Sequence, residues 1–240
     1  MNLHLVIGTP MYGGMCTSEY TQSLLNLSES ANKSDVKLTT IFLGNESLIQ
    51  RGRNTVAHHF MNLPDATHLL FIDADIKFRT QDIVKMIAAD KSLIVGPVAL
   101  KGYNWDEIRQ AAVNGEDDIG RTGGVFNINK LPGIDMVDEN TPFEIEHGGN
   151  AFMMIRRDVF ETLKPHTPIY TNGGRSLPDG VEIYDYFRVE INKDTNHLLS
   201  EDYFLCHSYR QLGGKVWCAP WVETGHFGSH LFNGKYSRNN

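Results

Sequence analysis

The chain has 240 residues, 41% hydrophobic and 21% charged, an ordinary globular composition that fits one α/β domain. Its net charge of −7 excludes a broad basic face for nucleic acid but not a local basic pocket. No apolar run approaches the roughly 18 residues of a membrane span. The scattered Cys16, Cys206 and Cys218 predict free thiols. With no signal-like segment before Leu3, they point to a cytoplasmic protein.

The first element is a short apolar strand, Leu3 to Ile7, which Gly8 and Pro10 should stop. The loop Gly8 to Gly14 is then a candidate site wall, because open α/β sheets bind ligands beyond the carboxyl ends of their strands. Thr17 or Ser18 caps a helix to about Ala31. A second strand spans Val36 to Leu43, and a helix spans Glu46 to Met61. On that helix Ile49, Gly52, Val56 and Phe60 share the sheet-facing side, and Arg51, Asn54 and His58 form a polar row. Arg53 falls on the border of the apolar face, where an arginine needs a partner such as phosphate or carboxylate.

Leu69 to Ile72 reads as a buried strand running straight into Asp73-Ala74-Asp75. Period two would set both carboxylates on one side, where they repel unless a cation sits between them. Mg²⁺, which takes carboxylates together with phosphate oxygens, suits such a place. Spacing alone is weak, since an Asp-x-Asp triplet arises by chance in a chain of ordinary composition.

Thr80 caps the next helix, and Ser92 to Gly96 is the next strand. Strand-helix alternation over this half predicts a mostly parallel sheet with helices on both faces. The middle is less regular: Lys101 to Asp118 is polar, Gly120 to Gly124 is a turn, and Val125–Asn129, Ile134–Val137 and Phe143–Glu146 suggest short antiparallel strands. Gly148-Gly149-Asn150 precedes the apolar run Ala151 to Ile155. After a surface loop from Leu163 to Asp179, Tyr184 to Ile191 reads as a strand. Ser200 then caps a helix with Glu201 and Asp202 in its first turn, where acidic residues also serve as plain dipole partners. Lys215 to Ala219 is the last strand, and His226 sits between glycines on a pliable loop.

In order, these motifs are a Gly/Pro loop, Arg51-Gly52-Arg53-Asn54, Leu70-Phe71-Ile72-Asp73-Ala74-Asp75, Gly148-Gly149-Asn150 with its apolar run, Ser200-Glu201-Asp202, and Gly225-His226-Phe227-Gly228. Over almost the whole chain the set resembles the GT-A class of nucleotide-sugar glycosyltransferases. It is most similar to the small soluble transferases of large DNA viruses, phages and bacterial surface-glycan clusters. The resemblance implies a GT-A (Rossmann-like) α/β fold with a mostly parallel central sheet and a small antiparallel acceptor-side sheet. It implies one domain, 1–240, with a nucleotide-binding half (1–100) and an acceptor-binding half (101–240).

The resemblance also implies roles. Thr9, Pro10 and Met11 would line the base and ribose pocket, and Arg51, Arg53 and Asn54 would hold the nucleotide. Asp73, with Ala74, would reach the ribose, and Asp73, Asp75 and His226 would form the site of a Mn²⁺ or Mg²⁺ on the diphosphate. Gly148, Gly149 and Asn150 would flank the donor sugar, with Glu201 and Asp202 beside the acceptor as catalytic carboxylates. The implied activity is metal-dependent transfer from a nucleotide-sugar, a UDP-sugar foremost, to a hydroxyl acceptor, a glycan foremost. The competing readings are a silent nucleotide-sugar or glycan-binding module, and transfer to modified bases in DNA, which the acidic charge disfavours. A nucleotidyltransferase would need Arg or Lys in the first loop, and that loop has neither.

Overall fold

The computed structural model describes residues 3–117, 119, 123–134, 138–173 and 177–229. The first half contains β1 (His4–Met11), α1 (Ser18–Lys33), β2 (Lys37–Gly44), α2 (Ile49–Met61), β3 (His68–Ile72), β4 (Ile76–Lys77), α3 (Thr80–Ala88) and β5 (Leu93–Val95). Then come α4 (Trp105–Asn114), β6 (Ile128–Lys130), β7 (Phe143–Gly148), β8 (Phe152–Arg156) and α5 (Arg157–Leu163). Next are β9 (Ile169–Thr171), β10 (Glu182–Tyr184), β11 (Glu190–Ile191) and β12 (Leu198–Leu199). The last elements are α6 (Glu201–Gln211), β13 (Val216–Cys218) and β14 (Gly225–His226).

Eight strands form one sheet in the order β2-β1-β3-β8-β5-β13-β7-β6. The sheet is mixed, not mostly parallel. β1 pairs in parallel with β2 and β3, and β5 with β13. β8 enters antiparallel between β3 and β5, and β7 lies antiparallel between β13 and β6. The antiparallel strands expected at Val125–Asn129 and Phe143–Glu146 are thus met by β6 and β7 in the main sheet, while β9–β10, β11–β12 and β14–β4 form separate two-stranded antiparallel sheets. The expected halves also interleave, since β8 and β13, from the second half, flank β5.

Alternation along the strands divides the core. Leu5, Ile7, Leu70 and Ile72 face Tyr20 and Leu27 of α1 and Ile83 and Met86 of α3. Val6, Leu69 and Phe71 face Val56 and Phe60 of α2, Phe160 of α5 and Leu205 of α6. Helices therefore cover both faces, as period two on buried strands requires.

Several boundaries differ from expectation. β1 runs through Gly8 and Pro10 to Met11, in register with β2 down to Met11↔Gly44. Its pairing with β3 ends at Gly8, so Pro10 sits where one edge has no partner strand, a place proline tolerates. Helix α4 occupies part of the stretch expected to be irregular. Asn104 accepts from the Glu107 N–H at its start, and Gly115 ends it at φ 73°. The loop expected from Leu163 contains β9, which pairs with β10. The single strand expected over Tyr184–Ile191 is divided between β10 and β11. The turn at Gly120–Gly124 and the strand at Ile134–Val137 fall largely outside the described residues. No helix among the described residues is long and apolar enough to cross a membrane.

Candidate active site

The site lies beyond the carboxyl end of β3. After Ile72 the chain turns, with the Ile76 N–H donating to the Asp73 carbonyl at 3.1 Å. Asp73-Ala74-Asp75 is therefore a turn and not a continued strand, so period two does not apply. The two carboxylates have different partners. Asp73 Oδ1 accepts from Arg53 Nη2 at 3.0 Å, and Asp75 Oδ2 lies 2.5 Å from Lys101 Nζ and 3.6 Å from His226 Nε2.

Arg53 is the centre of the buried part. Gly8 lets α2 lie close on β1, because a Cβ there would come within 2.4 Å of Val56 Cγ1. This packing sets Arg53 over the Phe71 ring at 5.3 Å, with its side chain 4% exposed. Its Nε reaches Glu201 Oε1 at 3.5 Å. Burial opposes the Arg53 charge, but Asp73 and Glu201 more than offset it, so its pKa is raised. Burial and the neighbouring Asp202 raise the Glu201 pKa despite Arg53.

Glu201 and Asp202 open α6, yet Ser200 makes no side-chain cap. The Ser200 hydroxyl instead donates to Asp202 Oδ1, which also accepts from the Tyr203 N–H at 2.8 Å. Asp202 Oδ2 accepts from the Asn150 N–H at 3.3 Å. Asn150 follows Gly149, where a Cβ would come within 2.8 Å of Asn127 Nδ2. His226 is fixed by β14 pairing with β4 and by a 2.7 Å bond between its Nδ1 and the Ala99 carbonyl. A carbonyl only accepts, so Nδ1 carries a proton, and Nε2 is the ring nitrogen turned toward Asp75.

Arg53, Asp73, Gly149, Asn150, Glu201, Asp202 and His226 border one cleft of about 330 Å³. A hollow of about 520 Å³, bordered by Pro10, Tyr12, Thr17, Glu46, Ala74 and Asp75, shares Ile49 and Asp73 with it. On the other side a hollow of about 400 Å³, with Lys101, Tyr103, Phe126 and Glu223, shares Ala99, Leu100 and His226.

Other expected residues lie elsewhere. Thr9 is buried, with its hydroxyl 2.6 Å from that of Tyr20. Met11 and Gly148 do not border these cavities. Arg51 is engaged by both oxygens of Glu46, at 2.6 and 2.7 Å. Asn54 is buried, donating to Asp185 and accepting from the Phe187 N–H. Among the described residues no three His, Cys, Asp or Glu side chains converge as a metal site. The pairing of Lys101 with Asp75, and the place of Asn127, escaped the sequence reading, which gave Lys101 only as the start of an acceptor-side stretch running to Gly124. Only long-range pairing brings them here.

No protein-family model matches the chain, and no curated protein matches it. A solved structure, A197 from STIV, matches over 98% of this chain and 99% of its own, at 13% identity and a TM-score of 0.51. The fold is shared with A197 from STIV. A glycosyltransferase involved in glycosylation of the major capsid of PBCV-1 matches over 68% of this chain and 64% of its own, at 10% identity and a TM-score of 0.34. HddC from Yersinia pseudotuberculosis matches over 66% of this chain and 79% of its own, at 12% identity and a TM-score of 0.31.

Proposed function

We propose that this chain is a GT-A type glycosyltransferase, moving a sugar from a nucleoside diphosphate donor, a UDP-sugar foremost, to a hydroxyl acceptor on a glycan. The observation that carries the reading is the Arg53–Asp73–Glu201 cluster in the 330 Å³ cleft, with Asp73 also bordering the larger hollow. The hollow at Pro10 and Ala74 suits the nucleotide, the cleft its sugar, and the Lys101–Tyr103 side the acceptor.

In this reading the acceptor oxygen bonds to the anomeric carbon as the bond from that carbon to the diphosphate oxygen breaks. The acceptor proton passes to a carboxylate acting as general base. Glu201 suits this better than Asp202. The Asp202 oxygens are held by Ser200, Tyr203 and Asn150, whereas Glu201 has one long side-chain contact, to Arg53. Burial also raises the Glu201 pKa, which makes it the stronger base. Asp202 positions Asn150 and the start of α6.

A divalent cation fits between Asp75 and His226. Asp75 Oδ2 and His226 Nε2 lie 3.6 Å apart, and the Ala99 bond engages Nδ1, so that Nε2 is the nitrogen left for a ligand bond. Asp73 is engaged by Arg53, so the protein would supply two ligands and Lys101 would yield its place on Asp75. When bound, a Mn²⁺ or Mg²⁺ would stabilise charge on the departing diphosphate.

The test is donor turnover across nucleoside diphosphate sugars, with and without Mn²⁺, in wild type and Glu201→Gln. The reading expects binding in both proteins and turnover in wild type only. Equal turnover in both proteins refutes it.

A further inference from the structure

We infer that the cleft selects a neutral sugar ring and reads its hydroxyls through the Asn150 carboxamide, rejecting rings that carry a carboxylate. This rests on the donor reading above and names the class of sugar it admits.

Asn150 is 1% exposed, yet neither its Nδ2 nor its Oδ1 has a hydrogen-bond partner among the described residues. Such a buried amide is costly, and native proteins rarely leave one without a function. Its backbone is anchored, because the Asn150 N–H donates to Asp202 Oδ2, so the idle part is the side chain bordering the cleft. Arg53 Nη1 is likewise buried and without a partner. A carboxamide offers two donors and one acceptor, which matches hydroxyls that both donate and accept.

Charge decides between ring types. Asp73, Glu201 and Asp202 border the cleft, against the single guanidinium of Arg53, which is already shared by Asp73 and Glu201. A ring carboxylate would face three like charges with no uncommitted cation among these four groups. A hydroxyl can use both the Asn150 amide and the remaining Arg53 N–H.

Calorimetric titration tests this with UDP, UDP-glucose, UDP-galactose, UDP-N-acetylglucosamine and UDP-glucuronate. The best neutral donor is expected to bind at least about tenfold more tightly than UDP-glucuronate. In Asn150→Ala the best neutral donor should bind about tenfold less tightly, with bare UDP affinity unchanged, while the three carboxylates still reject UDP-glucuronate. Asn150 has no side-chain hydrogen bond to lose, so the unfolding midpoint should stay near wild type. Asn150→Asp keeps the shape and removes both amide donors, so it should weaken the neutral donor likewise, with UDP-glucuronate rejected at least as strongly. The inference is overturned if UDP-glucuronate equals the best neutral donor in wild type, or if either variant binds the best neutral donor as tightly as wild type does. Failure of UDP and every UDP-sugar to bind would instead refute the UDP-donor reading beneath it, and this inference with it.

Discussion

Asp73 and Asp75 are one residue apart and equally exposed, at 32% each, yet they belong to different kinds of site. Asp73 is held by Arg53, whose side chain is 4% exposed and anchored on a helix packed to the sheet. Asp75 is held by Lys101, 45% exposed and on a loop. The carboxylates do not differ in burial, so their partners decide. A buried guanidinium makes Asp73 part of the framework, while the exposed ammonium on Asp75 is the partner that the proposed cation would have to displace.

Removing each cation would break or sharpen this contrast. Arg53→Met should cost about 3–5 kcal/mol, because it leaves Asp73 and Glu201 without their buried partner. Urea denaturation would measure this, and a cost below 1 kcal/mol would contradict the framework role. Glu201→Gln should lower turnover by about 10²–10⁴ with little change in donor binding. Asp202→Asn should instead disturb Asn150 and donor binding.

Gly8→Ala should cost about 1–3 kcal/mol by overpacking against Val56, displacing the helix that carries Arg53. Lys101→Met should cost at most about 1 kcal/mol, as expected for an exposed pair. It should also strengthen Mn²⁺ binding by freeing Asp75, which titration calorimetry on the nucleotide-free protein would detect.

The same contrast has a pH signature. Burial, then Asp202, raises the Glu201 pKa, so its protonated form persists to higher pH than in an ordinary glutamate. A carboxyl raised on folding favours the folded state below its unfolded value and loses that contribution as pH rises through the folded one. As a base it must be ionised, so the acid limb of the pH–rate profile should lie above the usual glutamate range. The residual rate of Glu201→Gln should lack that limb.

Much of the framework side was legible in the sequence. The run Leu69 to Ile72, closed by polar residues, reads as a buried strand, and 3.6-residue periodicity set Arg53 beside the apolar stripe of α2. Ser200-Glu201-Asp202 stood at a helix start, although there Ser200 supports Asp202 and does not cap. The exchangeable side was not legible, because its geometry is non-local. Lys101 reaches Asp75 only after β5 has paired with β8 and β13. β8 reads as a buried strand, but nothing in its composition says that it enters antiparallel between β3 and β5. Asn54 looked free for a ligand because Asp185 and Phe187, its actual partners, are over 130 residues away. The helix α4 could have been found: Asn104, Asp106, Glu107 and Gly115 carry its start and stop signals.

The most direct test of the central claim is nucleoside diphosphate release from a panel of nucleotide-sugars, measured with wild type and Glu201→Gln under the same conditions. The account predicts release by wild type from at least one donor. It predicts release slower by about 10² or more in the variant, which still binds that donor. Release at the wild-type rate by Glu201→Gln, or no binding of any donor by either protein, would contradict it.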